Sequence, residues 1–389
     1  MTTTFGDVIR GVAYGDSWGD PVEFSRIETI TKNDKRGPEL PDKLMITDDT
    51  QMSLFLADAL DLSREWGYGL FETQQAIIEA FLDYHDDRDT HSRAPGTTVM
   101  GSLGLMKWDK TYDGWNWIKA TNRTSDGSGT VMRTSPCAFL SEEVWVGVTA
   151  FAAAVTHGAP NAIAAAILDV AILRELLDGK IRLGGLTSRA FELASNPQAN
   201  GLLDVGKWLD GYDVDLTKGF AELARLTGLG ARGVLYLRQD PWNLLSDPSH
   251  FAGMGGGWRA HETLVIALMA VDMFPEDGWE GLRRAVTSDG DSDTIGAVAG
   301  ALVGASGTKL PDVFDRLEPR YQAWIANEAD DYVFVGSPEE PEVIEGEVVA
   351  DATLDDAAAG IERLDTRANL VLDPSKGKNG WLGRFIGKN

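Results

Sequence analysis

Glycine recurs every four residues at Gly296, Gly300 and Gly304, and each is followed by alanine at Ala297, Ala301 and Ala305. On a helix that spacing lines the glycines along one face, which is left nearly flat and open to close approach by another helix. The segment is too short to span a bilayer and follows a run of aspartates, so it predicts a helix buried at the centre of a soluble bundle. Apolar residues at three- and four-residue spacings also mark residues 52–62, 72–84, 144–155, 162–177, 219–226, 261–273 and 294–305, separated by Gly, Pro, Asp and Asn clusters. No run of alternating β-branched residues competes with them. The expected fold class is all-α.

With 389 residues the chain can bury a large core without a covalent staple, and its one cysteine, Cys137, excludes an intrachain disulfide and a multi-cysteine zinc site. Its start lacks the basic and apolar pattern of a secretion signal. The most apolar stretch, 162–177, is broken by Asp169 and Arg174, which argues against a membrane span. A cytoplasmic protein is expected. The formal net charge of -25 opposes broad contact with nucleic acid, and an anionic ligand would need local help from metal ions or backbone NH groups. From Ser337 to Glu362 the chain is rich in acidic residues without lysine or arginine, and it then turns basic around Trp381 and Phe385. Residues 333–389 therefore read as an acidic linker and a mostly disordered tail, whose short basic and aromatic end is a frayed terminus, with docking on a protein partner or on the acidic body as the alternative.

Two acidic clusters carry the chemistry: Thr47-Asp48-Asp49-Thr50, and Asp289-Gly290-Asp291-Ser292-Asp293-Thr294. Carboxylates crowded this closely repel one another unless a cation sits between them, and hard divalent cations prefer oxygen ligands. An EF-hand loop starting at Asp289 would need glycine at its sixth position and glutamate at its twelfth, where Thr294 and Gly300 stand. An aspartyl phosphatase would want an apolar strand before its aspartates, and Ala285-Val286-Thr287-Ser288 is a poor one. The reading that remains is two loop-to-helix junctions, the first with its helix beginning near Gln51, each offering hydroxyl and carboxylate oxygens. A helix cap accounts for one such oxygen at each junction; a cation site accounts for several.

Two further elements lie between and before them. Residues 15–23 end in Glu23 between Val22 and Phe24, an apolar setting that could raise its pKa and suit it to proton transfer. Ser125, Asp126, Gly127, Ser128, Gly129 and Thr130 form a glycine-rich turn of the kind that can direct backbone NH groups at phosphate.

In chain order these elements, with Met132-Arg133, Thr156-His157 and residues 257–264, resemble the ADP-ribosylglycohydrolase family from about Phe5 to Trp324. The resemblance implies a single large orthogonal helical bundle over residues 1–332, with a cleft holding two divalent cations, Mg2+ or Mn2+. It implies Thr47, Asp48, Asp49, Asp291, Asp293 and Thr294 as metal ligands. Glu23 matches the glutamate near the scissile bond, with Asp49 and Asp291 as candidates for orienting a water. Ser125 to Thr130 match a diphosphate cradle, and His157 matches a cleft histidine. Asp126 departs from the family's usual asparagine and Asp289 from its usual glycine.

The implied reaction is hydrolysis of the glycosidic bond between ADP-ribose and an acceptor, on an ADP-ribosylated protein or an ADP-ribose-containing small molecule. An acidic rim that includes Asp20 or Asp126 favours arginine as the acceptor. Serine-linked or O-acetyl-ADP-ribose, and a module that binds ADP-ribose without cleaving it, are the alternatives.

Overall fold

The structure, a computed structural model, describes residues 3–108, 110–111 and 114–331. Its helices follow in chain order: α1 (Phe5–Gly19), α2 (Ile27–Ile30), α3 (Asp48–Trp66), α4 (Leu70–Asp86), α5 (Thr97–Trp108), α6 (Trp117–Ala120) and α7 (Trp145–Ala154). The second half supplies α8 (Pro160–Leu177), α9 (Leu186–Ser195), α10 (Leu216–Leu237), α11 (Ala260–Asp272), α12 (Gly278–Val286), α13 (Ser292–Ala305) and α14 (Pro319–Asp331). Lys110–Thr111 and Gly114–Trp115 pair as a two-residue antiparallel ribbon, β1 and β2, the one named sheet among the described residues. The all-α expectation holds.

The glycine repeat finds its partner at the other end of the chain. Every residue of α13 is buried, and its flat face lies against α1. A Cβ placed on Gly15 would sit 1.9 Å from the Gly296 carbonyl oxygen, and one on Gly300 would sit 1.9 Å from the Gly11 carbonyl oxygen. Gly304 faces Asp7 and Gly19 faces Ser292 in the same way. Two backbones therefore touch at four successive points, which side chains on either helix would prevent. Helix α1 starts in a capping box, in which Thr4 and Asp7 satisfy each other's backbone NH groups. The same helix carries its C-terminal end to the acidic junctions.

Several elements differ from their sequence reading. Helix α3 begins at Asp48, three residues before Gln51, because Thr47 is its N-cap. Helix α10 runs well past residue 226, through Gly228, Gly230 and Gly233, whose missing side chains make room for Phe191, Met269 and Phe251. The poor strand at 285–288 lies at the end of helix α12, which removes the phosphatase reading. No described helix is long and apolar enough to cross a membrane. The linker and tail expected over 333–389 lie outside the described residues.

Candidate active site

The first junction is built by α1 and α3 together. Asp16, buried in the last turn of α1, accepts the Thr47 backbone NH with both carboxylate oxygens at 3.0 Å. Its Oδ2 also accepts the Thr50 NH at 3.1 Å and the Thr50 hydroxyl at 2.5 Å. These are donors at an N-terminus that the helix itself cannot satisfy, so Asp16 caps α3 from a different helix. The Thr47 hydroxyl donates to Asp49 Oδ2 at 3.1 Å. Asp48 Oδ2 accepts the Gly96 NH at 3.1 Å, while Asp49 Oδ1 is buried with no hydrogen-bond partner. Capping thus uses Thr47 and Asp16, and leaves a carboxylate oxygen of Asp49 over.

Glycine shapes the second junction. Gly290 has φ +93°, and a Cβ there would lie 2.2 Å from the Gly256 carbonyl oxygen, which accepts the Asp291 NH at 2.8 Å. Asp291 is the N-cap residue of α13, yet its side chain makes no capping bond. Instead Asp291 Oδ2 accepts the Ser128 hydroxyl at 2.8 Å, and Asp293 Oδ1 accepts the Thr294 NH at 2.9 Å. Glu23 reaches in from the turn after α1, so that carboxylate oxygens of Glu23, Asp291 and Asp293 lie within 4.8 Å of one another. Asp289 points elsewhere: it accepts the Ile27 NH at 2.5 Å and meets His250 Nε2 at 2.7 Å. The residue that replaces a family glycine therefore pins α2 rather than joining the carboxylate group.

Burial and mutual repulsion hold these acids towards their protonated forms. Burial, then the nearby Asp293, Asp20 and Asp48 carboxylates, push Glu23 up to about 8. Burial, opposed by the Thr50 hydrogen bond, and the charge of Asp293 leave Asp16 at about 7. Asp48, Asp49 and Asp291 stand well above the usual carboxylate range, each from burial first, with Asp293 adding repulsion. Burial leads the Glu23 shift, in line with the expected desolvation, although Phe24 itself is 73% exposed; the acidic neighbours add repulsion. An all-oxygen donor set with an orphaned buried carboxylate oxygen fits a hard divalent cation.

The glycine-rich turn forms the facing wall. Ser128 donates its NH to the Trp258 carbonyl at 3.1 Å and its hydroxyl to Asp291, so both of its donors are committed within the protein. Ser125 Oγ meets Thr98 Oγ1 at 3.1 Å, and the Thr130 hydroxyl donates to the Ala162 carbonyl at 3.2 Å. Asp126 has its cation, with Arg259 Nη1 3.8 Å from Oδ2. Gly127 and Gly129 lie over the buried His157 ring; a Cβ on Gly129 would fall 2.8 Å from its Cε1. His157 Nδ1 is 2.8 Å from Thr156 Oγ1, which accepts Arg133 Nη2 at 2.7 Å. Burial and the Arg133 charge hold His157 neutral, at about 3. The histidine supports the turn from beneath.

Sequence reasoning missed Asp16. The signal was present, since Asp16 lies inside the 15–23 segment, but the residue it caps stands 31 positions away.

The family model described as ADP-ribosylglycohydrolase matches residues 5–341. The chain belongs to the ADP-ribosylglycohydrolase family. The protein is accordingly a glycosidic-bond hydrolase, and metal dependence is typical of its family. Among solved structures, the chain is similar to one titled "ADP-ribosylglycohydrolase-related protein complex", at 23% identity and a TM-score of 0.55, over 84% of this chain and 96% of that one. That likeness bears on the fold. No curated protein matches the sequence.

Proposed function

We propose that this ADP-ribosylglycohydrolase removes ADP-ribose from a modified protein side chain, arginine in preference to serine, and that it depends on two divalent cations, Mg2+ or Mn2+. The observation that carries the reading is the convergence of Glu23, Asp291 and Asp293 beside the unpartnered Asp49 Oδ1. Thr47, Asp48, Asp49, Asp291, Asp293 and Thr294 are the residues that would hold the cations. When bound, such ions supply positive charge that lowers the pKa of water and fixes its position.

The remaining roles fall to side chains. Glu23, whose carboxylate groups with those of Asp291 and Asp293, is the residue for proton transfer to the departing acceptor or for positioning the substrate. Asp49 and Asp291 orient the attacking water, and their charge stabilises the oxocarbenium-like transition state at the anomeric carbon. Gly127 and Gly129 carry the diphosphate role, since Ser128 is committed to Trp258 and Asp291 and the buried Thr130 hydroxyl to Ala162. His157 sets the height of that turn. The catalytic unit in this proposal is residues 1–332.

The test is release of free ADP-ribose from arginine-linked, serine-linked and O-acetyl substrates, with and without chelator. Chelation is expected to abolish release, and Asp291→Ala to reduce it by about a hundredfold or more, beyond the range for losing a residue that only orients a ligand. Unchanged release by Asp291→Ala, or metal-independent release, would overturn the metal-dependent reading.

A further inference from the structure

Phe24 directly follows Glu23 and is 73% exposed, yet its conformation is closely specified. Its φ of +62° lies in the left-handed region, which is unusual and strained for an aromatic residue. Its NH donates to the Gly290 carbonyl at 2.9 Å, next to Asp291. Its ring stacks on Trp258, with centroids 5.0 Å apart and planes 22° from parallel. Trp258, 43% exposed, is fixed in turn: its carbonyl accepts the Ser128 NH, and its Nε1 lies 3.1 Å from where a Cβ of Gly256 would stand. A strained backbone and two wet aromatic rings thus join the Glu23 wall to the glycine-rich wall.

We infer that Phe24 and Trp258 form an aromatic shelf that seats the guanidinium of the acceptor arginine. One face of Phe24 is taken by Trp258, and its exposure leaves the other for a planar partner. Aromatic faces attract cations, guanidinium among the best suited of them by its planar shape. The shelf adjoins Glu23, whose carboxylate groups with those of Asp291 and Asp293. Its position beside Glu23 places it at the scissile end of the substrate. The adenine, separated from that end by two riboses and the diphosphate, lies farther along. This inference rests on the arginine reading above and identifies the residues that select it.

The experiment compares wild type, Phe24→Ala and Trp258→Ala for hydrolysis of arginine-linked ADP-ribose and for binding of free ADP-ribose. Agmatine, a small guanidinium, serves as competitor. The expected result is a fall in kcat/KM of about tenfold for each variant, the scale of one lost cation–π contact, with weakened agmatine inhibition and unchanged affinity for ADP-ribose. Phe24→Gly, which relieves the strained φ, controls for backbone effects and is expected to behave like Phe24→Ala. An equal loss of ADP-ribose affinity would mean that the shelf holds adenine and would overturn the inference. So would unchanged kinetics. Failure of wild type to cleave arginine linkages while cleaving serine linkages would refute the acceptor reading itself, independently of either variant.

Discussion

At the scale of single residues, the protein keeps buried acids of two kinds. The acids of the cleft have one another as neighbours; Asp169 stands alone. It sits in the apolar helix α8, buried, with both carboxylate oxygens unpartnered, and burial alone pushes its pKa well above the usual range. Because the folded value is raised, the folded state holds more protons than the unfolded chain above an unfolded pKa of about 3.9. Asp169 therefore withdraws stability as pH rises. Replacing it with leucine removes a buried unsatisfied group worth about 1–3 kcal/mol, so Asp169→Leu is expected to be more stable than wild type at pH 7. The gap should widen from pH 4 to pH 7 in parallel urea unfolding curves. A gap that stays constant or narrows with pH would show that Asp169 finds a partner or stays exposed. From sequence, Asp169 read only as an interruption of an apolar run, because a helix pattern does not reveal which neighbours a side chain meets.

At the scale of helices, the pairing of α1 with α13 sets the distance between the two halves of the site. Helix α13 begins with Asp293 and Thr294 in its first turn, and α1 ends with Asp16, which caps α3 beneath Asp48 and Asp49. Movement of α1 away from α13 would separate the junctions. Gly15→Ala would place its Cβ 1.9 Å from the Gly296 carbonyl oxygen, against backbone that cannot turn aside. Overpacking costs about 1–3 kcal/mol where side chains can yield, so a loss at or above about 3 kcal/mol is expected here, with weaker Mn2+ binding by calorimetry. Gly101→Ala, in α5, meets nothing within 4 Å and should gain up to about 1 kcal/mol from helix propensity. Equal effects of the two substitutions would dismiss the spacing argument. The flat face of α13 was legible in Gly296, Gly300 and Gly304. Its partner was not, because Gly11 and Gly15 lie far away in the chain and the 15–23 segment draws attention to its acids, Asp20 and Glu23.

At the scale of the molecule, the order of short motifs along the chain identified the family, while the roles within the site needed the fold. Thr47 and Asp48 look alike as oxygen donors in sequence, yet one caps a helix and the other takes the Gly96 NH; only packing leaves Asp49 Oδ1 without a partner. A chain with formal net charge -25 that buries several mutually repelling carboxylates gives up stability at its centre when no cation is present, and its field draws cations inward. Folding and metal binding are then linked. A divalent cation at a hundred times its dissociation constant should stabilise the protein by about 2.7 kcal/mol per site, read as a rise in melting temperature on adding Mn2+ or Mg2+ to chelator-stripped protein. Asp49→Asn takes one acid out of the crowded cluster and one cation ligand from the site at the same time. Without metal it should therefore melt at or above the wild-type temperature, and with metal clearly below it. A variant that gains as much from Mn2+ as wild type would exclude Asp49 from the cation site, and one that melts lower in both conditions would show that Asp49 holds the fold together in some other way.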